Sequence, residues 1–124
     1  MVKSRPKHLN LWQIKLPIPG IISIMHRVSG AGMFLMLPFV LWLLQTSLQS
    51  PDSYARFAGV MANPLVKLIV LGLLWAFLHH FCAGIRYLLL DVHVGTDLKP
   101  ARRSSFAVLG VSLALTLIFG AWSW

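Results

Sequence analysis

The sequence predicts an all-α membrane protein built on three transmembrane helices, and three observations point there. Hydrophobic residues make up 57% of the 124-residue chain and charged residues only 11%, with a mean hydropathy of +0.75. A soluble globule of this size needs far more charge to cover its surface. Three apolar stretches are each long enough to cross ~30 Å of hydrocarbon, which takes about 20 helical residues. The segments between them carry the Pro, Gly, Asp and Asn residues that end helices and make turns.

In chain order, residues 1–20, "MVKSRPKHLNLWQIKLPIPG", form a basic lead interrupted by Pro6, Pro17 and Pro19. The lead lacks an apolar core ahead of a small-residue cleavage site, so it reads neither as a secretory signal nor as a transit peptide. Span one covers about residues 21–48, span two 65–90 and span three 105–122. The connections "QSPDSYARFAGVMANP" and "DVHVGTDLKPARRS" read as turns. Pro38 falls inside span one, where it removes a backbone hydrogen bond and is expected to kink the helix. No internal repeat or second domain is visible, so residues 1–124 read as a single membrane-anchor domain.

The net charge of +8 comes from eleven Lys and Arg against three Asp. Most of these charges sit outside the long apolar runs rather than on a phosphate-reading face, so the expected partner is the lipid bilayer and not nucleic acid. Lys3, Arg5, Lys7, Lys15, Arg27, Arg86, Lys99, Arg102 and Arg103 fall on one side of the membrane, and only Arg56 and Lys67 on the other. That asymmetry puts the N-terminus of a multi-pass protein in the cytoplasm and the C-terminal "WSW" at the opposite interface. With no transit peptide, the expected location is a bacterial inner (cytoplasmic) membrane. The single cysteine, Cys82, excludes both a disulfide framework and a cysteine metal site within this chain.

Ionisable side chains inside spans are costly and are functional candidates by default. Here they are His26 and Arg27, beside Ser23 at the opening of span one, and His79, His80 and Arg86 in span two. Snorkelling toward headgroups is the alternative reading for the arginines, and a hydrogen bond to a neighbouring helix is the alternative for a histidine. His80 lies eleven residues before Asp91, hence ~16 Å into the bilayer, whereas His26 is expected near the boundary. This separation argues against one metal held between the two imidazoles. It suits a large cofactor with iron near mid-bilayer and acidic groups reaching the cytoplasmic edge.

Haem has that shape, and its iron accepts a neutral imidazole in an apolar pocket. On the row one turn above and below, His80 is flanked by Ala76 and Gly84, while His79 is flanked by Trp75 and Ala83. The smaller flanks make His80 the better ligand candidate. The second axial position can be filled by Met36 of span one or by a histidine from another subunit. Three helices are few for enclosing a haem, which favours the partner.

Three motifs then resemble a known family, the cytochrome b-type membrane-anchor subunit of succinate dehydrogenase, respiratory complex II. They are Arg5-Pro6 with its short amphipathic lead, "SIMHRVSG" at 23–30, and "HFCAGIRYLLLD" at 80–91. The resemblance implies half of a heterodimeric haem-binding helix bundle. It implies that His80 is an axial ligand to the iron of haem b, with the other ligand from a second membrane-anchor subunit. Ser23 and Arg27 match residues lining the site of ubiquinone, the substrate, while His26 and Arg27 match groups beside the haem propionates. Gly84, Arg86 and Asp91 belong to the motif and take a structural or cofactor-proximal part. No role carries over to His79 or His93, and Tyr87 stands where many relatives have histidine.

The chemistry suits these residue types. Quinone reduction takes two electrons and two protons, so its site needs a hydrogen-bond donor and a fixed cation, which Ser23 and Arg27 offer four residues apart on one helix face. The resemblance further implies an iron–sulfur subunit and a flavoprotein subunit as partners, with no catalysis by this chain alone. Two rivals stand beside this reading: the anchor of a quinol:fumarate reductase, and a cofactor-free small membrane subunit for assembly or transport.

Overall fold

The computed structural model describes Asn10 and residues 13–123; Arg5 and Pro6 of the first motif lie outside the described residues. Among those described there are four helices and no strand: α1 (Ile18–Leu48), α2 (Pro51–Ala62), α3 (Pro64–Asp91) and α4 (Leu98–Ser123). As expected from the sequence, three of them, α1, α3 and α4, have the length and apolar composition to cross a membrane.

The helix boundaries follow from local chemistry. α1 starts three residues before the apolar run, with Pro19 in its first turn, where a missing N–H costs nothing, and it continues through Pro38. α2 occupies the connection that the sequence reads as a turn. Ser50 Oγ accepts from the Ser53 N–H at 3.1 Å, Ser53 Oγ accepts from the Ser50 N–H at 2.9 Å, and Pro51 and Asp52 fill the first turn. Those turn-forming residues are here a reciprocal helix cap with a favourably placed acid.

α3 opens in the same way, with Asn63 Oδ1 accepting from the Leu65 N–H at 2.9 Å and Pro64 next to it. It ends before a turn in which His93 and Gly95 take φ values of 62° and 77°. α4 begins at Leu98, seven residues ahead of the expected 105, with the Asp97 carbonyl accepting from the Ala101 N–H at 2.9 Å. Lys99, Arg102 and Arg103 therefore belong to the first turns of α4 rather than to a loop.

The buried centre takes one residue from each spanning helix: Ile22, Ala83 and Val108. Against α3, α4 turns a stripe of Ser105, Val108, Ser112, Thr116 and Gly120. A Cβ on Gly120 would lie 2.8 Å from Leu71 Cδ1, so the Leu71 side chain rests directly on the α4 backbone there. Close approach over small residues is how helices associate where the surroundings are as apolar as the side chains. Most large apolar side chains, among them Phe34, Leu35, Phe77 and Phe81, stay exposed, as suits contact with lipid or with another chain.

Candidate functional site

The "SIMHRVSG" turn of α1 packs directly on His80 of α3. The imidazoles of His26 and His80 stack with centroids 4.0 Å apart and planes 14° from parallel. His80 Nδ1 lies 3.0 Å from the His26 carbonyl oxygen and 3.3 Å from Ser29 Oγ. A carbonyl oxygen only accepts, so Nδ1 carries the proton and Nε2 the lone pair. A Cβ on Gly30 would lie 2.9 Å from His80 Cε1, so only glycine lets α1 come this close.

This corrects the expected separation of the two histidines. Because α1 begins at Ile18, His26 is eight residues, ~12 Å, into the helix, against ~16 Å for His80 from the end of α3. The remaining few ångströms lie within side-chain reach. Gly84 faces the same ring: a Cβ there would make an ordinary contact with His26 Nε2 at 3.9 Å. Tyr87 closes the other side of that ring, with centroids 5.1 Å apart.

Ser23 and Arg27 share a face of α1, as their spacing requires. An Arg27 Nη2 proton is donated to Ser23 Oγ at 3.1 Å, which leaves the Ser23 hydroxyl proton free to be given elsewhere. Arg27 is exposed and Ser23 half-buried, so both are within reach of a group arriving from outside the chain.

Arg86 does not snorkel. It is buried, donating from Nε to Ser104 Oγ at 2.9 Å and from Nη2 to the Ala101 carbonyl at 3.5 Å, with the Tyr87 ring 5.5 Å from its guanidinium carbon. It thus ties α3 to the first turns of α4. Asp91 is the exposed last residue of α3. His79 is fully buried against Trp75, and neither of its ring nitrogens has a hydrogen-bond partner. Among the described residues no three His, Cys, Asp or Glu side chains converge into a metal-binding group.

Sequence reasoning passed over Ser29, Gly30 and Ser104. The first two had a signal in the sequence, since they stand three and four residues after His26 and so on its side of the helix. Ser104, eighteen residues from Arg86, had none.

Residues 1–119, and with them both histidine motifs, match the family of succinate dehydrogenase/fumarate reductase transmembrane subunits. The chain belongs to this family. It is 34% identical over 125 residues to the succinate dehydrogenase cytochrome b556 subunit of Coxiella burnetii, covering 100% of both chains. It is 30% identical over 115 residues to the cytochrome b556 subunit of Paracoccus denitrificans, covering 93% of this chain and 88% of that one. The succinate dehydrogenase cytochrome b560 subunit of Reclinomonas americana is 28% identical over 124 residues, 96% of this chain and 85% of the relative. The protein is thus a multi-pass membrane-anchor subunit of the succinate dehydrogenase type, made to assemble with other subunits in a bilayer.

Proposed function

We propose that this subunit, paired with a second membrane-anchor subunit, binds haem b and forms part of the ubiquinone site of a succinate:ubiquinone oxidoreductase. In that role it helps pass electrons from the iron–sulfur subunit to ubiquinone. The observation that carries the reading is the state of His80: its Nδ1–H is engaged by the His26 carbonyl, and Nε2, the nitrogen an iron needs, makes no hydrogen bond. An imidazole whose other nitrogen is held by a carbonyl is the usual form of a metal-ligating histidine.

Haem b supplies one-electron redox chemistry when bound. His80 would hold its iron from this chain, and a second anchor subunit would supply a further ligand. Met36 lines a cleft with Trp75 and His79 rather than with His80, which supports the partner over Met36. His26, stacked on the His80 ring, and the adjacent Arg27 cation would hold the haem propionates. Ser23 donates its hydroxyl proton to a quinone carbonyl oxygen, and Arg27 stabilises negative charge as that oxygen accepts electrons. Gly84 lies beside His26, Arg86 fastens α4, and Asp91 marks the cytoplasmic end of α3.

The chain acts as one anchor domain in a bacterial inner membrane with its N-terminus in the cytoplasm. There the iron–sulfur and flavoprotein subunits dock on the side that carries Ser23 and Arg27. The names of the relatives favour succinate oxidation over the quinol:fumarate reductase alternative. Purification in mild detergent, a reduced-minus-oxidised spectrum and identification of the copurifying chains test the proposal. A b-type spectrum with flavoprotein and iron–sulfur chains is expected; a colourless preparation without a flavoprotein overturns it.

A further inference from the structure

We infer that Ser29 is a positioning residue for His80, setting how strongly that imidazole donates to iron. The inference rests on the reading of His80 as the haem ligand. Ser29 Oγ donates its proton to the His26 carbonyl at 2.9 Å and stands 3.3 Å from His80 Nδ1, which itself stands 3.0 Å from the same carbonyl. With the hydroxyl proton directed at the carbonyl, what Ser29 presents to Nδ1–H is a lone pair. The Nδ1 proton is therefore shared between two acceptors in a closed triangle.

The rest of the turn keeps that triangle in place. Gly30 allows the α1 backbone to lie against His80 Cε1, and the His26 ring covers one face of the imidazole at 4.0 Å. The ring has one tautomer and one orientation, and Ser29 is the only side-chain acceptor at its Nδ1 among the described residues. Acceptors on Nδ1–H draw its proton outward and make Nε2 a stronger donor. A stronger axial donor favours ferric over ferrous iron and lowers the reduction potential. Removing the Ser29 hydroxyl leaves Nδ1–H on the carbonyl alone, so the potential rises.

The experiment is a potentiometric titration of the haem in the purified complex, followed by absorbance, for the native protein and for Ser29→Ala, Ser29→Thr and His80→Ala. Ser29→Ala is expected to keep its haem and raise the midpoint. At a fixed potential the ferrous-to-ferric ratio rises about threefold to tenfold, ~30 to 60 mV for a one-electron couple. Ser29→Thr, which keeps a hydroxyl, is expected to restore the native midpoint. A native midpoint in Ser29→Ala, or an equal rise in Ser29→Thr, overturns the inference. Should Ser29→Ala not assemble, Ser29→Cys, a weaker acceptor of similar size, is expected to give a smaller rise, and an unmoved midpoint there overturns the inference equally. Loss of haem in His80→Ala alongside an unmoved midpoint in Ser29→Ala defeats only the role of Ser29, whereas haem kept in His80→Ala defeats the ligand reading itself.

Discussion

α3 packs against α1 along one side and α4 along another, and the two seams are built from different chemistry. Along the α4 seam the hydroxyls of Ser105, Ser112 and Thr116 all return to carbonyls of their own helix, at 2.7, 3.1 and 2.7 Å. Their donors are used up locally, and what remains is a smooth surface of small residues. Arg86 crosses that seam with polar contacts, to Ser104 and Ala101. Along the α1 seam, polar groups cross from helix to helix and still leave reactive positions: Nε2 of His80, the Ser23 hydroxyl proton and the Arg27 guanidinium. One seam holds the helices together, and the other holds groups ready for something outside the chain. His79 and His80, neighbours in sequence, mark the boundary. One is buried with both nitrogens unpartnered, and the other is hydrogen-bonded at one nitrogen only.

The strongest way to sharpen that division is to remove the exposed cation of α1. Arg27→Ala is expected to cut quinone reduction by about 100-fold, with Ser23→Ala closer to 10-fold, in line with losing preorganised donors. Succinate oxidation with an artificial dye should persist in both. A parallel loss of dye reduction contradicts the assignment.

On the other seam, Arg86→Ala is expected to cost about 2 kcal/mol, the usual worth of hydrogen bonds from a charged group. The measurement is thermal unfolding in detergent, and an unchanged melting temperature breaks the comparison. The two close-approach glycines come next. Gly30→Ala should lower haem content by displacing His80, whereas Gly120→Ala should lower stability by about 1 kcal/mol, with the haem kept. Equal effects of both on haem content would erase the distinction between the seams. The smallest effect belongs to His79→Leu. An unpaired buried polar side chain exchanged for an apolar one of similar size is expected to change stability by under ~1 kcal/mol, toward greater stability. A loss of several kcal/mol would mean that His79 has a partner in the assembled complex.

Much of this architecture was legible because the membrane reading depends on the length of apolar runs, which span one, span two and span three all supply. α2 was hidden because Ser50, Pro51, Asp52 and Ser53 serve equally well in turns and in helix caps, and only the three-residue spacing of the serines separates the two. In the site, His80 stood out from His79 by its small neighbours. The close approach of the two helices nevertheless depends on Gly30 of α1, whose absent Cβ would lie 2.9 Å from His80 Cε1. Depth counted from the first apolar residue misplaced His26, since the helix starts earlier behind Pro17. Arg86 was ambiguous for a different reason: snorkelling and a tie to α4 demand the same residue at the same position, and Ser104 is remote in sequence.

The proposed function stands on His80, and not its neighbour His79, as the iron ligand of this chain. Reduced-minus-oxidised spectra of the purified complex carrying His80→Ala, beside one carrying His79→Leu, test it most directly. Haem absorbance is expected to vanish with His80→Ala and to match the native complex with His79→Leu. Full haem content in the His80 variant, or its loss in the His79 variant alone, would contradict the account.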